Sequence, residues 1–507
     1  MDMWKRVVCL VGLAASLHAQ PYTIDPARFH ARPEAVDAAF ARLASARTLE
    51  EMLPAYESLL VEVNRYDALL TLQYATDTTN TAARDASRAL DARFTAAEER
   101  LRRSIAATRD AKDDPALRPY AYFLRTTRDL TPKPASCDTA SREDWQSDLR
   151  DLVKTNRDVV AFALLHLAKA RNDAARARGF PDAVTEAYAK SGWTRAQVDA
   201  LLEKIASYGP FQPLPVERGK VSSPQLTIEE ASTLLLDVLR PLGPKYTTEL
   251  AKLLDPASRR LDILPGPHRR RGGFSLGFVG MDSVFYTAGF TGTYNDLRVL
   301  THESTHAMQR QLESKRGVRP VYADGPKYLF EATAIFNELL LPDALAKRAN
   351  DPQLRAFYLE QFLTGKGIAI VFIAAAEAAL EQAVYDGVAR GELHGADDLD
   401  ALTLRVMGRF VPPVATKWMD INLMYEDPFY DINYMWAGLV ALNAFAKYER
   451  DPAATARGYV ALLENGFDRP PDALLRDFLG IDVYAPSFVD DAIAAAQTRI
   501  DELKKLR

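Results

Sequence analysis

His302-Glu303-Ser304-Thr305-His306 decides how the rest of the chain reads. If residues 297–313 are helical, His302 and His306 stand one turn apart on one face, where two imidazoles can share one metal ion. Glu303 then sits beside that face, with its carboxylate free to take a proton from water. The flanking residues favour such a helix. Thr293 and Asp296 have the spacing of a capping box, and Leu297, Leu300, Ala307, Met308 and Leu312 recur at helical intervals. Lys315 and Arg316 suit a last turn and Gly317 a stop.

Two histidines do not complete a zinc site, which takes a third protein ligand, usually a carboxylate, and leaves its fourth position to water. Glu331 is the candidate. It lies 25 residues beyond His306, within residues 328–341, which read as a helix ending before Pro342. An acidic side chain amid so much apolar surface needs a partner, and a metal is one. The competing reading makes Glu331 and Glu338 a solvent-facing stripe. The constellation predicts one Zn2+ held by His302, His306 and Glu331.

Several stretches together resemble the zinc metallopeptidases of the thimet oligopeptidase and oligoendopeptidase F family. They are Leu226-Thr-Ile-Glu-Glu-Ala-Ser232 with Pro241-Leu-Gly-Pro-Lys-Tyr246, then Gly272-Gly273 through Gly292-Thr293 and Asp296 into the histidine motif. Glu331-Ala-Thr-Ala-Ile-Phe-Asn-Glu338, Phe429-Tyr430 and Asn433-Tyr434 follow. Tyr459-Val-Ala-Leu-Leu-Glu-Asn-Gly466, Gly480-Ile-Asp482 and Pro486-Ser-Phe488 complete the set. Their order and spacing are closer to oligoendopeptidase F than to the longer thimet branch. The resemblance covers residues 226–503. It implies a mainly α, two-lobed helical zincin of the gluzincin type with a small β-sheet beside the active site, acting on short unfolded peptides. Two positions depart from the family pattern: Thr305 stands where the family has Gly, and Met424 where it carries a His.

Taken in order, the chain begins with Lys5 and Arg6 before an apolar run over residues 7–17 and a small residue at Ala19. This is the pattern of a cleaved signal peptide over residues 1–20, too short to span a bilayer, and it predicts export to the periplasm or medium. Removing the leader leaves Cys137 as the single cysteine, so no intramolecular disulfide forms. The loss of Asp2, Lys5 and Arg6 takes the net charge from -5 to -6, which argues against a nucleic-acid partner. The apolar residues 368–376 are too few to cross a membrane and read as a buried helix. Oligomeric state is not legible.

Residues 21–215 read as an N-terminal helical lobe, punctuated at Asp114-Pro115, Thr131-Pro-Lys-Pro134 and Gly179-Phe-Pro181. Residues 152–170 are amphipathic, and His166 there reads as a helix-surface or packed residue rather than a ligand. Prolines 210, 213, 215 and 224 mark a linker, and residues 216–507 read as the catalytic lobe. Within it, Pro265-Gly-Pro-His-Arg-Arg-Arg-Gly-Gly273 reads as a solvated basic loop, with a substrate carboxylate as its alternative partner. Ser283-Val-Phe-Tyr286 has strand composition, and the resemblance implies an edge strand there that pairs with an extended peptide.

Tyr425, Tyr430 and Tyr434 cluster downstream, and the last two, four apart, share a helix face. A phenol on that face can donate to the oxyanion of a tetrahedral intermediate; the competing reading is a pair of packed aromatics. Together with the resemblance, Tyr434 and Tyr430 are candidates for that role, Tyr425 a weaker third, and Glu338 a residue that orients a ligand histidine. The expected chemistry is water activated by zinc, with Glu303 taking its proton and delivering it to the leaving amine. A related helical carboxypeptidase or dipeptidyl carboxypeptidase, a thermolysin-like enzyme with a nearer Glu, and a secreted binding protein with a degenerate site remain as alternatives.

Overall fold

The computed structural model describes residues 22–107, 115–128, 156–212 and 223–506. The expected leader, Cys137, the Thr131–Pro134 stretch, residues 152–155 and the linker prolines Pro213 and Pro215 lie outside these residues. What is described is overwhelmingly helical, as the pattern predicts, with one small sheet.

Helices Pro33–Ser45, Leu49–Thr76, Thr81–Ala107 and Ala121–Arg128 build a core of their own around Leu53, Leu59, Leu101 and Ile105. A much larger core takes in helices Arg157–Ala177, Ala183–Lys190 and Arg195–Ala206 and nearly every helix after Ile228. A third cluster joins the two. Leu72 and Ala75 of the Leu49–Thr76 helix pack on Val284 and Tyr286 of the sheet, and the Tyr286 hydroxyl donates to the Ala75 carbonyl at 2.6 Å. His166 is exposed on its helix, Nδ1 lying 2.9 Å from the Phe162 carbonyl.

The sheet has three strands, β1 (Leu261–Asp262), β2 (Gly273–Leu276) and β3 (Val284–Thr287), in the order β1-β3-β2. β3 runs parallel to β1 and antiparallel to β2, with Phe274 opposite Tyr286 and Ser275 opposite Phe285. This corrects one expectation. The Ser283–Tyr286 stretch is the central strand, and among the described residues the free edge beside the motif helix belongs to β2. Both faces of β3 are covered: Phe285 points into the large core while Val284 and Tyr286 meet Leu72 and Ala75. That is why its sequence shows no polar alternation. The basic loop is not freely solvated either. Arg269 donates to Asp262 at 2.6 Å and stacks on the Tyr286 ring, 4.7 Å from its centroid.

The helix that carries the histidine motif runs Tyr294–Arg316, capped by the predicted Thr293–Asp296 box and ended by Gly317 in the left-handed conformation. β2 lies directly on it: a Cβ on Gly273 would stand 2.7 Å from Val299 Cγ1, so only glycine permits the approach. The Glu331 helix runs Lys327–Arg348 and packs alongside. It does not stop before Pro342, as its sequence suggests. Asp343, Leu345 and Ala346 beyond the proline are buried, and Asp343 accepts from the buried Arg499 at 2.6 Å. Those contacts offset the roughly 3 kcal/mol a proline costs inside a helix. Helix Asp431–Arg450 packs against both Lys327–Arg348 and Ile368–Arg390. The stretch Pro352–Arg390 is long and apolar enough to cross a membrane, but 67% of its apolar window is buried inside the protein.

Candidate active site

The motif helix turns His302 and His306 onto one face, their Nε2 atoms 3.1 Å apart. The neighbouring helix brings Glu331 to them, Oε2 lying 3.3 Å from His302 Nε2. One ligand atom from each of the three residues falls within 4.8 Å of the others. Glu331 Oε2 is buried and makes no hydrogen bond, an orphan atom aimed at two imidazoles. The donor set is two imidazoles and a carboxylate, which suits zinc.

Its electrostatics favour a positive charge at this point. Burial works against charging His302, yet Glu338 and Glu331 lift it to about 10. Burial and His302 together drive His306 down to about 3. Glu331 falls to about 2 despite burial, because His302 lies against it and both imidazoles face it. Glu303, on the strand side of the helix, is pushed up to about 7, chiefly by burial and then by Glu331, with His302 opposing.

The orientation of His302 is fixed from behind. Its Nδ1 faces Glu338 Oε1 at 2.5 Å, and Arg298 Nη1 donates to the other Glu338 oxygen at 2.8 Å. Sequence reasoning found Glu338 but not Arg298; the signal was its spacing, one helical turn before His302. Thr305, the departure from the family pattern, has the room it needs. Its hydroxyl donates to the Thr301 carbonyl at 2.8 Å and accepts from Asn337 Nδ2 at 2.8 Å. Asn337 donates also to the Tyr246 hydroxyl at 2.9 Å, so the seam between the two ligand-bearing helices is a buried polar network.

Tyr430 and Tyr434 do reach the cluster. The Tyr430 hydroxyl donates to Glu331 Oε1 at 3.4 Å, and the two phenol rings lie 5.5 Å apart. Tyr430 is the N-cap of helix Asp431–Arg450 with helical backbone angles, so the one-face relation holds across the helix start. Burial and the Glu331 charge raise both phenols, which keeps them protonated donors. Tyr425 is held elsewhere, its hydroxyl donating to the Trp418 carbonyl at 3.1 Å. Met424 is fully buried, so the position of the family histidine is a packing position here. Phe429 takes a left-handed φ of 63°, a strained angle for an aromatic residue. Glu381 holds that turn by accepting from the Phe429 N–H at 2.8 Å.

Residues 241–491 match the model of Peptidase family M3. The chain carries a domain of this family. Over 279 residues it is 24% identical to the chromosomal oligoendopeptidase F of Lactococcus lactis subsp. cremoris, covering 53% of this chain and 45% of that one. It is 24% identical over 315 residues to an oligopeptidase of Bacillus subtilis, covering 60% and 45% respectively. The matched region thus spans less than half the length of these curated relatives. A solved structure of a chain from Chlamydophila abortus superposes with a TM-score of 0.74 at 16% identity, over 97% of this chain and 99% of that one. The M3 match holds the histidine motif, Glu331 and both tyrosines, so the predicted helical zincin fold and the family resemblance are borne out.

Proposed function

We propose that this protein is a zinc-dependent peptidase that hydrolyses short unfolded peptides, in the manner of the oligoendopeptidases it is similar to. The observation that supports this most directly is the convergence of His302 and His306 with Glu331 of the neighbouring helix within 4.8 Å, beside the half-buried Glu303.

In this reading His302, His306 and Glu331 hold one Zn2+, which when bound lowers the pKa of water and polarises a carbonyl. Glu303 takes the water proton and returns it to the leaving amine. Burial raises that carboxyl while a bound cation opposes the rise, and its place beside the ligands lets it both accept and return a proton. Tyr434 and Tyr430 donate to the oxyanion as it develops, a role worth a few kcal/mol. Glu338, braced by Arg298, keeps His302 turned toward the site. The substrate lies extended along the free edge of β2, where main-chain pairing tolerates many sequences. Residues 1–20 direct the chain to export.

The test is incubation of the purified protein with a mixture of unstructured peptides, read by mass spectrometry, with and without a zinc chelator. New fragments that disappear with chelator and return with added zinc are expected. No fragments under any condition would overturn the peptidase reading.

A further inference from the structure

Between helices Pro352–Thr364 and Ile368–Arg390 the chain turns through Gly365-Lys366-Gly367. Neither glycine is replaceable without moving backbone: a Cβ on Gly365 would stand 2.6 Å from the Gln361 carbonyl oxygen, and one on Gly367 2.0 Å from that of Phe362. The loop is pressed onto the end of the preceding helix, and its single side chain, Lys366, is carried to the candidate active site. There Lys366 Nζ sits over the Tyr434 ring, 4.3 Å from the centroid, and its charge acts on Glu331 and Glu338.

The neighbouring cations are all engaged. Lys327 sits over the Tyr430 ring at 4.5 Å in the same way, but its Nζ is 2.8 Å from Asp427. Arg298 bonds Glu338 at 2.8 Å, Arg310 bonds Ser275 Oγ at 3.0 Å, and Lys417 lies 3.3 Å from Glu377. Lys366 has no hydrogen bond and no ion pair among the described residues. Of the acids its charge acts on, Glu338 is bonded by His302 and Arg298 and Glu331 faces the imidazoles and Tyr430, while Asp431 keeps one buried oxygen unpaired, yet none of the three forms an ion pair with Lys366. A half-buried ammonium seated on an aromatic face, with its donors unused, is a receptor for an anion supplied from outside.

We infer that Lys366 is a specificity-determining residue that binds a carboxylate of the peptide substrate, so that peptides carrying a negative charge near the scissile bond are preferred. The inference rests on the peptidase reading. It concerns which peptides are cleaved, whereas that reading concerns whether any are. The carboxylate is supplied either by the peptide C-terminus or by an Asp or Glu side chain, and both present the same two oxygens to the ammonium.

The experiment uses internally quenched peptides of one neutral sequence. One arm compares the free C-terminal acid with the amide. The other keeps the amide and places Glu at each position in turn. Wild-type protein is expected to cleave at least one carboxylate-bearing peptide with a kcat/KM about tenfold above that of the uncharged amide, the size of one charge-assisted hydrogen bond. Lys366→Gln should bring that ratio to near one, Lys366→Arg should preserve it, and added salt should shrink it. Melting temperatures of both variants confirm that each is folded, and the arm that shows the preference identifies the source of the carboxylate. Equal cleavage of all peptides by wild type, or a preference that survives in Lys366→Gln, overturns the inference while the peptidase reading stands. No cleavage of any peptide by wild type overturns both.

Discussion

Asn337 Nδ2 donates to Thr305 Oγ1 at 2.8 Å, tying the helix that carries both histidines to the helix that carries Glu331. Both side chains are fully buried. The bond therefore ties together candidate ligands that lie on separate elements, and it exists because Thr305 stands where the resemblance has glycine.

Replacing Thr305 with Val keeps the shape and removes the hydroxyl, leaving the Asn337 amide without one of its acceptors. The expected loss is about 1–3 kcal/mol of stability, the cost of an unmatched buried polar group. Urea unfolding checks it. A midpoint equal to that of wild type would show that the seam is held by packing alone.

Glu303 and Glu338 flank the same histidine and should respond differently to the same change. Glu303→Gln removes the proposed proton acceptor and none of the proposed ligands, so zinc content should stay at wild-type level while kcat/KM falls at least about a hundredfold. Glu338→Gln weakens the partner that orients His302, so zinc should be held about 10–100-fold less tightly in a chelator competition. Zinc loss in Glu303→Gln, or unchanged zinc affinity in Glu338→Gln, would exchange or cancel these assignments.

Asp431 carries a pH signature that reads against habit. Burial first, and the nearby Glu377 second, raise its carboxyl from 3.8 to about 7, with Lys417 and Lys366 opposing. Its Oδ2 is buried without a partner. A raised acid destabilises the fold progressively as pH climbs from its unfolded value near 3.8 to its folded value, and the penalty is complete above about 7. Asp431→Asn should therefore melt higher than wild type at pH 8 and show little difference at pH 4. The same melting difference at both values would show that charge is not the cause.

The histidine motif with its cap and stop was legible from local spacing, Glu331 from an acid set in an apolar helix, and Glu338 and the two tyrosines only together with the family resemblance. Helical periodicity places residues four apart on one face whatever surrounds them. What escaped depends on contacts between distant segments. Pro342 signals a helix end locally, but the Asp343–Arg499 pair carries the helix past it. Ser283–Tyr286 has the composition of a strand, but composition does not say that β1 and β2 would flank it and leave β2 at the edge. Lys366 carries no motif, and its relation to Tyr434 arises only when helices Ile368–Arg390 and Asp431–Arg450 pack together.

The position of β2 has a consequence for the size of substrate. Its residues Gly273–Leu276 pair with β3 on one side, and the helix bearing Glu303 lies beneath, with Gly273 close to both Val299 and Glu303. A peptide that pairs with the other side must be extended over several residues to bring a carbonyl to His302 and its partners. An unfolded peptide reaches that shape at small cost. A loop fixed on a folded protein must first open locally, and the free energy of opening multiplies directly into the rate. The same cleavable sequence should therefore be cut readily as a free peptide of about a dozen residues and far more slowly as an ordered surface loop of a stable protein, at equal concentration. Destabilising the carrier protein should restore cleavage in proportion to the fraction of loop that is open. Comparable rates for the free peptide and the ordered loop would rule out edge-strand capture of an extended chain and point instead to an open cleft that accepts folded surfaces.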